Sequence, residues 1–250
     1  MARLALDSRT RLLLTPIGRS VLTARGPAAE LLRRSLARRL DAAERAWTER
    51  IEQRRSELEV DARVVAFEEL GSARRREIGE LCRTASASAT WAQLLFRLVR
   101  AVRPERCLEL GTCLGISACY QGAALRLNGE GRLITIEGRP EVAAIAGETI
   151  AQLDLGAEIE SRVDWFEDGL GRALADLERL DYGFVDGHHD GGATLEYFAQ
   201  IRARLSSGAI LVVDDIDWSA GMREAWDAIA GDSATAGAVD LGRLGVWICR

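Results

Sequence analysis

The chain has 250 residues, a formal net charge of −5 and 48% apolar residues, enough for one large domain or one domain with an appendage. No apolar run approaches the ~20 residues of a membrane span, so no membrane partner is expected. Five cysteines (Cys82, Cys107, Cys113, Cys119 and Cys249) are scattered without a C-x-x-C, which reads as reduced thiols in a cytoplasmic protein rather than a disulfide frame or zinc site.

The N-terminus, MARLALDSRTRLLLTP, has a short Leu cluster with Arg on both sides. It lacks the apolar stretch and small-residue cleavage site of a signal peptide. Residues 1–60 hold 13 Arg against 8 acids, and the remainder 20 Arg against 30 acids. A basic front suits nucleic acid or anionic lipid. The stretch 28–58, however, interleaves 8 Arg with 6 acids. A mixed face of that kind is a solvated helix, and no nucleic-acid partner is expected.

The same stretch predicts a helix, with Leu32, Leu36, Leu40, Ala43, Trp47, Ile51 and Leu58 on one stripe. Such a stripe needs a covering surface: the protein's own core, a substrate beneath a lid, or a second copy in a homodimer. A second helical region is predicted from about 73 to 102, ending before Pro104. Residues 1–103 thus read as a helical cap or oligomerisation region, and 104–250 as a separate domain.

Beyond Pro104 short apolar runs alternate with helical stretches. Strands are predicted at 106–110, 132–137, 157–163, 181–186 and 208–215, each followed by a helix. Five such units argue for a parallel sheet with helices on both faces, an α/β doubly wound architecture. The runs 238–241 and 245–250 read as a closing pair, one of them antiparallel at the sheet edge.

Ligands in such a sheet sit beyond the carboxyl ends of the strands. Five strand ends supply candidates: Glu109, Gly111, Thr112, Gly115 and Ser117; Glu137; Asp164 and Trp165; Asp186, His188 and His189; Asp214 and Asp215, with Asp217 and Trp218 beyond. Turns favour Asp and Gly, which accounts for one or two of these. Gly111 and Gly115 let backbone pass close to a ligand. Glu137 is placed to accept hydrogen bonds from both hydroxyls of a ribose. Together they point to a nucleoside-containing cofactor.

CLELGTCLGIS, LITIEG, DYGFVDGHHD and GAILVVDDIDWS, in this order and spacing, resemble class I S-adenosylmethionine-dependent methyltransferases, closest to small bacterial O-methyltransferases. The resemblance covers roughly 104–250. It implies a Rossmann-like seven-stranded sheet, mostly parallel with an antiparallel C-terminal strand pair. It implies that Glu109, Gly111 and Gly115 hold the methionine and ribose portions, that Glu137 takes the ribose hydroxyls, and that Asp164 and Trp165 lie against adenine. Some metal-dependent members carry D-G-x-H after the fourth strand and an acidic pair after the fifth. That pattern maps a divalent ion such as Mg²⁺ onto Asp186, Asp214 and Asp215, with His189 as base. All 33 basic residues are arginine, so a lysine base is excluded. His188 reads as a supporting or turn residue, and Asp190 as a cap for the following helix. The expected activity is methyl transfer to a small-molecule hydroxyl. An NAD-type dehydrogenase and a non-catalytic nucleoside binder remain as alternatives.

Overall fold

The computed structural model describes residues 24–69 and 72–250. The N-terminus read for a signal peptide lies outside them.

The helix predicted over 28–58 is two helices, α1 (Pro27–Ala37) and α2 (Ala42–Glu59). The break has a local cause. Asp41 and Glu44 form a reciprocal capping box that starts α2. The carbonyls left at the end of α1 are taken by Arg97, which donates to Ser35 and Arg38. The region predicted as helix from 73 begins instead as a strand. β1 (Val64–Glu69) pairs antiparallel with β2 (Ser72–Glu77), and helix resumes at α3 (Ile78–Ala85) and α4 (Ala89–Val102). Arg74–Arg76 favour helix by propensity, but pairing with Phe67, Ala66 and Val65 of β1 prevails.

The stripe of α1 and α2 is covered from within the chain. Leu32, Leu36, Ile51 and Leu58 are at most 2% exposed. α1 lies against α4 and the last two strands, and α2 against α3 and the first helix of the sheet domain. The face expected to meet a second copy is therefore occupied. One apolar cluster joins these helices to the sheet, so α1–α4 form a layer on the same core.

The sheet has seven strands in the order β5-β4-β3-β6-β7-β9-β8. They are β3 (Arg106–Leu110), β4 (Arg132–Glu137), β5 (Ile159–Val163), β6 (Leu180–Val185), β7 (Leu205–Val213), β8 (Thr235–Asp240) and β9 (Gly245–Cys249). Five are parallel neighbours. β9 runs antiparallel between β7 and β8, so the edge strand is β8. Intervening helices are α5 (Ile116–Asn128), α6 (Pro140–Gln152), α7 (Phe166–Leu177), α8 (Gly191–Arg202) and α9 (Ala220–Ala230). Successive strand residues enter opposite cores. Cys107, Tyr182 and Val212 join the core under α4 and α5, while Leu108, Leu211 and Val213 join the one under α7–α9. Near-continuous apolar strands buried on both faces are what a parallel sheet requires. The order of strand addition reverses between the parallel neighbours β3 and β6, which puts the ligand crevice there.

Candidate active site

The crevice is built where the loop after β3 crosses the end of β6. Asp186 N donates to Leu110 O at 2.8 Å. A Cβ on Gly111 would stand 1.9 Å from the carbonyl oxygen of Asp186, and Gly111 has φ +101°. Only glycine fits both demands. The loop is tied to β4 through Gly111 N and Thr112 N, both donating to Ile136 O.

Glu109 lies beneath this loop and does not face the crevice. It is 0% exposed. Its carboxylate accepts from Gln121 Nε2 at 2.7 Å and Thr135 Oγ1 at 2.6 Å. Thr135 in turn shares a 2.6 Å hydrogen bond with Thr112. Burial pushes the Glu109 carboxyl up to about 7, with Glu137 adding to the rise and the hydrogen bonds of Thr135, Ser117 and Gln121 opposing it. Glu109 thus braces the loop through Thr135 and Gln121. Gln121 and Thr135 were not singled out. Their signal was a polar residue flanked by apolar ones on a helix face and a strand that both read as buried.

Glu137 sits at the end of β4 as expected, only 4% exposed. It accepts from Cys113 N at 2.9 Å and from Arg139 Nε at 2.7 Å. A ribose would share this carboxylate with Arg139, a partner that went unnoticed in the sequence. Next to it Trp165 packs its ring on Gly138, where any Cβ would come within 2.6 Å of the indole. Trp165 is 53% exposed, so part of its indole is open to solvent beside Gly138. Asp164 is turned aside by an ion pair with Arg172.

The other half of the crevice carries charge. Asp186, His189 and Asp215 each present an atom within 4.8 Å of the others. His189 Nδ1 lies 3.3 Å from Asp215 Oδ2, and its ring is 5.5 Å from that of Trp218, which is 67% exposed. Burial raises the Asp186 carboxyl, and the nearby Asp214 and Asp215 raise it further. Asp215 is raised by burial and by Asp214, against Arg243 and His189.

The expected set of three carboxylates is not what assembles here. Asp214 is gripped by a guanidinium fork. Arg243 Nε reaches Oδ1 at 2.8 Å and Nη2 reaches Oδ2 at 2.9 Å. The donors left for an ion are Asp186, His189 and Asp215. Arg243 comes from the turn between β8 and β9, remote in sequence, and nothing in the motifs pointed to it.

His188 packs rather than faces the acids. Its Nδ1 is 2.6 Å from Tyr197 Oη, with the ring stacked on Tyr197 and edge-on to Phe166. Asp190 caps α8 through Ala193 N, as expected. Cys113, His188, His189 and Asp215 all adopt positive φ. Backbone held in this sparsely populated region gathers at sites that must aim groups.

Comparisons with known proteins agree with this geometry. The family described as "Methyltransferase domain" matches residues 108–216. A catechol O-methyltransferase of Niastella koreensis is 33% identical over 138 residues, 52% of this chain and 57% of that protein. The chain therefore aligns with little more than half the length of that relative. The structure of an O-methyltransferase from Bacillus cereus in complex with SAH has a TM-score of 0.60 at 20% identity, covering 81% of this chain and 90% of that one. SAH-bound PaMTH1 from Podospora anserina has a TM-score of 0.60 at 15% identity, covering 100% and 99%. Residues 108–216 match a family described as a methyltransferase domain, and the fold is that of these solved structures. The likeness in sequence is to an O-methyltransferase.

Proposed function

We propose that the chain transfers the methyl group of S-adenosylmethionine to a hydroxyl of a small-molecule acceptor, with His189 as general base. The observation that carries this is the His189–Asp215 pair at 3.3 Å, beside the exposed Trp218 and one loop from the glycine turn. S-adenosylmethionine supplies a sulfonium-bound methyl group. The glycine loop brings backbone close to its amino-acid portion, Glu137 serves the ribose, and Trp165 offers the adenine a flat face. With Nδ1 on the Asp215 side at 3.3 Å, Nε2 is the nitrogen left to accept a proton. With that methyl donor bound, Nε2 would take the proton of the acceptor hydroxyl as its oxygen is methylated and the donor leaves as the neutral thioether. The catechol O-methyltransferase relative supports an O–H acceptor over an amine. Asp186, His189 and Asp215 present atoms within 4.8 Å of one another, but Asp215 is already engaged by Arg243 and His189. Occupation of His189 by an ion would remove it as base.

The test has two arms. S-adenosylhomocysteine at about 100 times its Kd should stabilise the protein by ~2.7 kcal/mol; the absence of any thermal shift would sink the cofactor assignment. With acceptor present, His189→Ala should slow methyl transfer by roughly 10²–10⁴-fold while leaving S-adenosylhomocysteine affinity unchanged. A variant as fast as wild type would remove His189 from the chemistry.

A further inference from the structure

The acidic crevice contains its own cation. Arg243 is pinned in place by the chain: Ile216 N donates to its carbonyl at 2.9 Å, which locks the β8–β9 turn under the loop after β7. Its guanidinium is bidentate on Asp214, whose side chain is 1% exposed. The same Nε lies 3.1 Å from Asp215 Oδ1. Asp215 turns its other oxygen, Oδ2, to His189. Both oxygens of Asp214 and both of Asp215 are therefore already engaged. A planar fork on a buried carboxylate is a strong and orientation-specific pairing. A hard dication would need those same oxygens and would stand against a permanent positive charge.

We propose that Arg243 takes the charge-balancing place of a divalent ion among Asp186, Asp214 and Asp215, so that this site works without a metal. The claim about ion binding rests on the geometry alone. Its consequence for catalysis rests on the methyl-transfer reading above.

The experiment is a titration of the metal-free full chain with Mn²⁺, followed by electron paramagnetic resonance of the free ion. Wild type is expected to show no saturable binding at millimolar Mn²⁺. Arg243→Met uncovers Asp214 and Asp215 and should bind Mn²⁺ at least about tenfold more tightly, because uncompensated carboxylates seek a cation. Adding Asp214→Asn to that variant should abolish the gain. Saturable binding by wild type that Asp186→Asn removes would overturn the proposal, since the ion would then sit on Asp186, His189 and Asp215. No gain in a folded Arg243→Met would overturn it as well. If that variant fails to fold, the wild-type titration still decides. Wild-type methyl transfer should be unchanged by EDTA, and its loss would also overturn the proposal. A chain that binds no S-adenosylhomocysteine would fail the functional reading yet leave the Mn²⁺ outcome standing.

Discussion

Glu44 and Glu109 are equally hidden, each at 0% exposure, and they keep opposite company. Glu44, in the first turn of α2, is held by Arg38 and by Arg100, whose Nε is 2.8 Å from Oε1. Its second oxygen accepts from Asp41 N at 3.0 Å. Burial alone would raise its carboxyl, but the two arginines and the backbone hydrogen bond outweigh that and hold it below the ordinary value. Glu109, under the glycine loop, is bonded by an amide and a hydroxyl and is left near neutrality. The N-terminal layer gives its buried acid permanent counter-charges. The strand ends withhold them from Glu109 and give them to Asp214. A fully compensated acid is fixed as structure, whereas an uncompensated one stays responsive to whatever enters the crevice.

The first way to break this comparison is to remove the compensated acid. Glu44→Ala should destabilise the chain by about 4 kcal/mol, since it strips a buried ion pair and half of a capping box. Urea denaturation measures it. A loss under about 1 kcal/mol would make the hub an ordinary surface pairing. The depressed carboxyl also sets a sign. Its stabilisation is present above the unfolded-state value of 4.5 and fades as pH falls through the lower folded-state value.

Glu109 should show the opposite slope. A carboxyl raised from 4.5 to about 7 holds its proton longer in the folded state. The folded chain then binds more protons than the unfolded one across that window. Stability from this group is complete below 4.5, falls as pH rises to about 7, and stays level above. The loss is on the order of 3 kcal/mol. Glu109→Gln should flatten this part of the stability–pH curve. An unchanged slope in the variant would show that Glu109 is ionised throughout and that the loop is built on a charged acid.

The sequence made the sheet domain legible and the layer above it less so. Strands at 106–110 and 132–137 were read to the residue because these short, largely apolar runs are bounded closely by Pro104, Gly111, Gly131 and Gly138. The hairpin at Val64–Glu77 was missed because Arg74–Arg76 are helix formers that tertiary pairing overrode. In the site, Gly111, Glu137, Asp186 and His189 stand at the strand ends where they were expected. Arg243 and Arg139 could not be found, because an arginine in a turn has no periodicity and no motif. Their carboxylate partners were visible, but the side chain that neutralises each was not. For the same reason Asp214 was assigned to an ion when it belongs to Arg243.

The smallest effect probes the crevice without touching charge. Trp165 is 53% exposed, and its ring rests on Gly138. So exposed a ring buries little area in the free protein, and Trp165→Ala should leave stability within about 0.5 kcal/mol of wild type. Its aromatic face should matter only once a base lies against it. Stacking is worth about 0.5–1.5 kcal/mol beyond area burial, so S-adenosylhomocysteine affinity should fall roughly tenfold in Trp165→Ala and much less in Trp165→Phe. Calorimetric titration reads both. If Ala and Phe variants bind equally well, adenine does not lie on this face.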